Sequence, residues 1–419
     1  MNINVIKTSF GLAAIAGVLS ASGAARAASL GDCDAYDNAK PHLYVAGSSA
    51  IKPFIQALST ALKDTEVVVY VSGGSCVGVD YALNGTPLPT GADLGIIGAD
   101  TCTVPAAKTA DIGVSDVFAT SCSGVEASML DGFGDFQGPI QIMNFAVPKG
   151  ADAAIQSISA EAGYLVMGFD PASNDPATKK SYANGTPWTS KDDIWIRGPG
   201  SGTQSMIATA IGVLPGSWAL NNYTDGNAIK HAVAGGSGEI VTRVGGATNL
   251  DTTLGILAST ELDDARDKIR GLAFQAKGQT CGYWPDSSSS SKDKLNVRNG
   301  KYDIWGPLHM YAAVDNKGKP SDDISDFVDY VNGVKPVSDA DPMQIVKLEI
   351  TKNLVPVCAM QVSRDEEIGD LMSVNPTCTC FYESQRLHGG AEFTGCAACE
   401  TDADCDKGNS CSYGFCEAI

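Results

Sequence analysis

Three short Ser/Gly-rich stretches carry the residue types needed to hold an anion: Ala46-Gly47-Ser48-Ser49-Ala50, Ser72-Gly73-Gly74-Ser75 and Arg197-Gly198-Pro199-Gly200-Ser201-Gly202-Thr203. Each lies between an apolar, strand-like run and a segment read as helical. The start of a helix leaves backbone N–H groups unpaired and carries partial positive charge. Glycine lets that backbone approach a ligand closely, and Ser or Thr adds a hydroxyl donor, so such a turn can hold an oxyanion. One turn of this kind is more often an ordinary N-cap. Three in one chain, with Arg197 four residues before Ser201, point to an anion site. Arginine presents a rigid fork of donors that matches phosphate or carboxylate geometry.

A fourth stretch, Asp111-Ile112-Gly113-Val114-Ser115-Asp116, ends in a carboxylate. Beside an anion site Asp116 makes sense if the anion carries a proton that it can accept. A fully deprotonated oxyanion would leave that carboxylate without a partner. Such a loss weakens binding by a few kcal/mol, roughly a hundredfold or more. Protonated phosphate would thus be favoured over sulfate.

The elements that must position these residues follow from periodicity. His42 to Val45 and Val67 to Val71 read as strands, and Ile51, Phe54, Ile55, Leu58 and Leu62 share one face of a helix. Asp111 to Val114, Ile140 to Val147, Ile194 to Ile196, Leu254 to Leu257 and Leu308 to Val314 read as further strands, and Gln204 to Val213 as a helix. Ser321 is placed to cap a helix bearing Ile324, Phe327, Val328 and Val331, with Asp322 and Asp323 in its first turn and Gly333 at its end. Strands alternating with helices predict an α/β fold with a mainly parallel sheet covered on both faces.

Composition bounds the setting. The chain has 419 residues, 44% hydrophobic and 18% charged, which is within the globular range. Lys7, the apolar stretch from Phe10 to Leu19 and Ala25-Arg26-Ala27 form the three parts of a secretory signal over residues 1–27. Its removal would take away two cations and change the formal charge from −19 to −21. So acidic a protein is a poor nucleic-acid binder, and any anion site must be built locally. Thirteen cysteines fit an oxidising compartment, periplasmic or secreted, and their odd number leaves one unpaired or paired between molecules. Seven of them, from Cys378 to Cys416, crowd a C-terminal tail whose pairing cannot be read from spacing.

Taken in order, Gly47-Ser48-Ser49-Ala50, Ser72-Gly73-Gly74-Ser75, Asp111-Ile112-Gly113-Val114-Ser115-Asp116 and Arg197 through Thr203 resemble the motifs of the phosphate-binding proteins of bacterial ABC phosphate transporters, over roughly residues 43–335. The resemblance implies a two-lobe periplasmic binding protein fold of type II, plus the Cys-rich tail. One lobe would hold 28–141 and 306–357, the other 142–305, and the tail 358–419. It implies phosphate contacts from Ser49, Ala50, Ser75, Arg197, Ser201, Gly202 and Thr203, with Asp116 as proton acceptor. It further implies no cofactor, no metal and no catalysis, with a monomer that delivers inorganic phosphate to a membrane permease. The sequence departs from the family at Ser49-Ala50, at Cys76 and in 84–110, which reads as an insertion containing Cys102.

Rival chemistries find less support. Gln204 follows Thr203, so the third turn lacks the Gly-Lys-Ser/Thr ending of a nucleotide-binding loop. None of the four histidines, His42, His231, His309 and His388, sits in a recognisable hydrolase motif, which leaves a secreted phosphatase as an alternative without a signature. Another tetrahedral oxyanion, such as sulfate, tungstate or arsenate, is the nearer alternative. Asp402, Asp404 and Asp406 alternate like a calcium loop, but Gly408 is one position late and Cys405 interrupts the series.

Overall fold

The computed structural model describes residues 28–168, 187–188, 190–222, 224–225, 228–229, 236–390 and 393–418. The signal reading over 1–27 lies outside the described residues, as does His231. No helix among the described residues is long and apolar enough to cross a membrane.

Eleven strands join in one sheet. In chain order they are β1 (Ser29–Asp32), β2 (His42–Gly47), β3 (Val67–Ser72), β4 (Gly91–Ile97), β5 (Asp100–Val104), β6 (Ile112–Ser115), β7 (Phe133–Pro148), β8 (Ile194–Trp195), β9 (Leu254–Ala258), β10 (Ile269–Gly271) and β11 (Trp305–Ala313). Their spatial order is β1-β5-β4-β3-β2-β6-β11-β7-β9-β8, with β10 also on β7. The longer helices are α1 (Lys52–Leu62), α2 (Ser75–Asn84), α3 (Ala160–Gly168), α4 (Gly202–Ile211), α5 (Ser237–Gly245), α6 (Asp322–Val331), α7 (Gln344–Thr351) and α8 (Thr379–His388).

Strands β2 and β3 are apolar on both faces because both faces are covered. Leu43, Val45, Val68 and Tyr70 pack with Phe54, Ile55 and Leu58 of α1, while Tyr44, Ala46, Val67, Val69 and Val71 line a second cluster with Leu88 and Val104. Ser321 caps α6 by accepting from the Ile324 N–H, as its spacing predicts.

The expectation of a mainly parallel sheet is corrected. β2–β3, β2–β6, β1–β5 and β8–β9 are parallel. β3–β4, β4–β5, β6–β11, β7–β11, β7–β9 and β7–β10 are antiparallel. Two causes account for the difference. Part of the stretch read as an insertion folds back as the β4–β5 pair and extends the sheet. Moreover, β7 is 16 residues long and pairs antiparallel with β11 from Trp305↔Ile142 to Ala313↔Phe133. At one end of this ribbon Leu308 and Met310 pack with α1 and α6; at the other Ile142, Phe145 and Val147 pack with Met206 and Ile207 of α4. The result is one mixed sheet covered by helices, with β7 and β11 contributing to two hydrophobic clusters.

Six disulfides are present, Cys33–Cys102, Cys76–Cys122, Cys358–Cys378, Cys380–Cys396, Cys399–Cys411 and Cys405–Cys416. Cys281 is the odd thiol, free and exposed. Phe381 and Tyr382 of α8 are buried in the same cluster as Ile142 and Phe145, so the Cys-rich segment packs onto the body.

Candidate functional site

The first two turns meet because glycines remove the side chains that would hold them apart. A Cβ on Gly47 would lie 2.0 Å from the Val114 carbonyl oxygen, and one on Gly78 would lie 2.5 Å from it. The Gly73 and Gly74 N–H groups both donate to the Gly47 carbonyl at 2.8 Å. The start of α2 therefore sits directly over the ends of β2 and β6. Asp116, just past β6, accepts from Ser48 Oγ at 2.5 Å and from Ser75 Oγ at 3.0 Å, both on Oδ2, and its own N–H donates to Ser75 Oγ at 3.1 Å.

The third turn arrives at the start of α4. The Cys76 N–H donates to the Gly200 carbonyl at 3.1 Å. A Cβ on Gly202 would lie 2.2 Å from Ser75 Oγ and 2.8 Å from Asp116 Oδ2, so only glycine lets α4 begin this close to the carboxylate. Arg197 donates from Nη2 to Ser49 Oγ at 3.0 Å and from Nη1 to Ser237 Oγ at 3.2 Å. Ser237 opens α5, so a fourth helix start joins the three.

Burial sets the electrostatics. Asp116 is 2% exposed and Arg197 5% exposed. Desolvation pushes the Asp116 carboxyl above its ordinary value, opposed by the Ser48 and Ser75 hydroxyls and by the charge of Arg197. Desolvation also lowers Arg197 from its usual value, opposed chiefly by Glu261 and then Asp116. Asp116 Oδ1, Arg197 Nε and Thr203 Oγ1 are buried without a hydrogen-bond partner. Buried polar atoms are rarely left unpaired, and a tetrahedral oxyanion carrying one proton offers both acceptors for Arg197 and Thr203 and a donor for Asp116.

The structure brings Ser75, Asp116 and Gly202 together and bonds Arg197 to Ser49, next to the Ser48 that bonds Asp116, with buried Ser201 and Thr203 at the start of α4. Ala50 differs in role from the expectation, since its N–H donates to Ser48 Oγ at 3.2 Å rather than standing free. Three residues escaped the sequence reading. Ser48 is the residue of its turn that binds Asp116. Ser237 sits within the Gly-rich stretch Gly235-Gly236-Ser237-Gly238, which has no partner nearby in sequence. Glu261 has no local signal; burial pushes its carboxyl up to about 7, against the pull of the Thr260 hydroxyl and of Arg197. A pocket of about 330 Å³ opens beside Arg197, lined by Ser49, Lys52, Gln56, Ser237 and Glu261 among others. The Cys76–Cys122 bridge ties the residue after Ser75 to the segment after Asp116, which accounts for the unusual cysteine in the second turn.

Gly202→Ala tests this geometry. The added methyl must displace Ser75 or Asp116, neither of which has a long flexible side chain. Oxyanion affinity is expected to fall about tenfold or more, in line with an overpacking cost of about 1–3 kcal/mol. Equilibrium titration checks it, and unaltered affinity would show that α4 does not meet Asp116 in the bound protein.

No family model and no curated protein matches the chain. Solved structures do overlap with it. One is a Clostridium perfringens protein with bound phosphate, described as a phosphate ABC transporter substrate-binding protein, at 14% identity over 75% of this chain and 99% of that one, with a TM-score of 0.47. Another is described as a possible phosphate binding protein from Planctomyces limnophilus, at 13% identity over 76% and 93% of the two chains, with a TM-score of 0.42. The reduced OxyR regulatory domain from Pseudomonas aeruginosa overlaps at 10% identity over 70% and 96%, with a TM-score of 0.37. Overlaps this loose leave the ligand to be argued from the chain's own residues.

Proposed function

We propose that this protein is a non-catalytic, extracytoplasmic solute-binding protein that captures inorganic phosphate between its two lobes. The lobes are taken as 28–141 with 306–357, and 142–305, with 358–419 as the Cys-rich tail. The observation that carries the reading is the placement of Asp116 and Arg197 on the adjacent serines Ser48 and Ser49, with Asp116 Oδ1 and Arg197 Nε buried and unpartnered, among several helix starts. Helix starts and arginine supply donors for any oxyanion. Asp116 supplies a buried carboxylate acceptor, which favours an anion that keeps a proton. The ligand contacts are Ser49, Ser75, Asp116, Arg197, Ser201, Gly202 and Thr203. The bound state would be closed by hinge motion, and the loaded monomer would deliver phosphate to an ABC permease from the periplasm or cell exterior. The reading involves no nucleic acid, cofactor or metal.

Calorimetric titration with phosphate, sulfate, arsenate and tungstate tests it. Phosphate and arsenate are expected to bind, with sulfate far weaker; equal affinity for sulfate would move the assignment to oxyanions in general. A hydrolase reading gains little from the site, because His309 is fully buried, bonded to Asp135 and packed against Phe118. Release of a chromogenic alcohol from a phosphate ester would nevertheless reinstate it.

A further inference from the structure

The pocket beside Arg197 is larger than its presumed ion and carries a charge of the wrong sign for a bare anion. It measures about 330 Å³, against about 30 Å³ for one water in the liquid. A single tetrahedral oxyanion fills only a fraction of it. Ser49, Arg197, Gly236 and Ser237 form one part of its lining. The donors there are fixed: Arg197 reaches both Ser49 and Ser237, and a Cβ on Gly236 would lie 3.4 Å from Ser49 Oγ. Glu261 forms another part, held on the one-turn helix Ser259–Leu262 and hydrogen-bonded by Thr260 Oγ1. The same Thr260 Oγ1 lies 3.2 Å from the Ala50 carbonyl, so its single proton is shared between that carbonyl and Glu261 beside the first anion turn. Lys52, Gln56 and Ser72 complete a polar lining.

A carboxylate at this place opposes a phosphate dianion unless the ligand itself brings a cation to it. Arg197 and Lys52, the cations of the lining, would otherwise divide their charge between Glu261 and the ligand. We infer that the pocket also takes phosphate monoesters bearing a short alkylammonium group, with the phosphoryl oxygens on Arg197, Ser49 and Ser237 and the ammonium on Glu261. This rests on the oxyanion reading of the Arg197 site and extends it from the bare ion to a class of organic phosphates. Glu261 would then be the residue that selects the substituent. Burial raises its carboxyl to about 7, and an ammonium arriving beside it would favour the charged form.

The test compares inorganic phosphate, ethyl phosphate and 2-aminoethyl phosphate by titration calorimetry on the full chain and on Glu261→Gln. In the unmodified protein the aminoethyl ester should bind about tenfold or more tighter than the ethyl ester, the effect of a single desolvated charge pair. In Glu261→Gln the aminoethyl ester should weaken while ethyl phosphate tightens, so that the ratio collapses. Glu261→Asp, which keeps the charge, should retain most of the preference and controls for damage to the fold. Equal affinities for the two esters in the unmodified protein, or the same ratio in Glu261→Gln, would overturn the inference and leave Glu261 as a mere counter-charge to Arg197. If inorganic phosphate binds but both esters are refused, the inference falls and the phosphate reading stands. If none of the three binds, both fall together.

Discussion

Arg197→Ala should weaken phosphate and arsenate together, by about a hundredfold or more, without changing the ratio between them. Arg197 is buried at the candidate site of a protein of formal charge −19. Its Nη atoms are held by Ser49 and Ser237, so the guanidinium is already oriented before any ligand arrives. Truncating one partner of a desolvated charge pair costs about 2–5 kcal/mol, partly because the other charge is left buried and unpaired. Here the loss would also leave Asp116 and Glu261 near each other with no cation between them, since Arg197 opposes the rise of both carboxyls. Arg197→Lys should recover part of the affinity, because it keeps the charge but loses the fork. Measured affinities of the two variants for both anions check this; an alanine variant that binds within a factor of two of the unmodified protein would remove Arg197 from the site.

The second large effect concerns stability. Asp263, whose side chain is fully buried, receives Arg266 Nη2, Lys294 Nζ and Arg386 Nη2, each at 2.6 Å. Lys294 is itself almost wholly buried, and Asp286 is the further acid that pairs with Arg266 and Lys294. Asp263→Ala should destabilise the protein by about 3–5 kcal/mol, the usual result of breaking a buried ionic group by removing one member. Arg386 lies on α8, so the variant should also loosen the tail, and proteolysis near 379–388 should become faster. The three cations hold the Asp263 carboxyl down to about 2, below its ordinary 3.8, although burial alone would raise it. A depressed carboxyl stabilises the fold above its unfolded value and loses that contribution as pH falls through the folded one. The difference between Asp263→Ala and the unmodified protein should therefore be full near pH 6 and shrink between about pH 4 and 2. Denaturant melts at several pH values check the sign.

Local signals made the parts of the site legible, whereas its assembly depended on topology. The helix starts at 75 and 202, the carboxylate at 116 and the cap at Ser321 all follow from residues a few positions apart. Ser237 and Glu261 are 40 and 64 positions beyond Arg197, and only the placement of α5 and of the one-turn helix Ser259–Leu262 brings them to it. Strand direction was misread for a related reason. Apolar alternation shows that β7 and β11 are strands but does not reveal that they pair antiparallel from Trp305↔Ile142 to Ala313↔Phe133. The cysteine count revealed an unpaired thiol but not its identity, because the pairing depends on which loops meet; Cys76 finds Cys122 through the stacking of α2 on β6.

The central claim is that Asp116 selects the anion by accepting its proton. The most direct test is the ratio of phosphate to sulfate affinity in the unmodified protein and in Asp116→Asn. The substitution keeps the size, removes the charge and can present an N–H donor. General damage to the fold affects both anions and largely cancels in the ratio. The account predicts that the ratio falls by about tenfold or more, the effect expected when a buried charged acceptor is exchanged for a donor, chiefly through tighter sulfate binding. A ratio in Asp116→Asn equal to that of the unmodified protein would contradict it and reduce Asp116 to a turn residue bonded to Ser48 and Ser75.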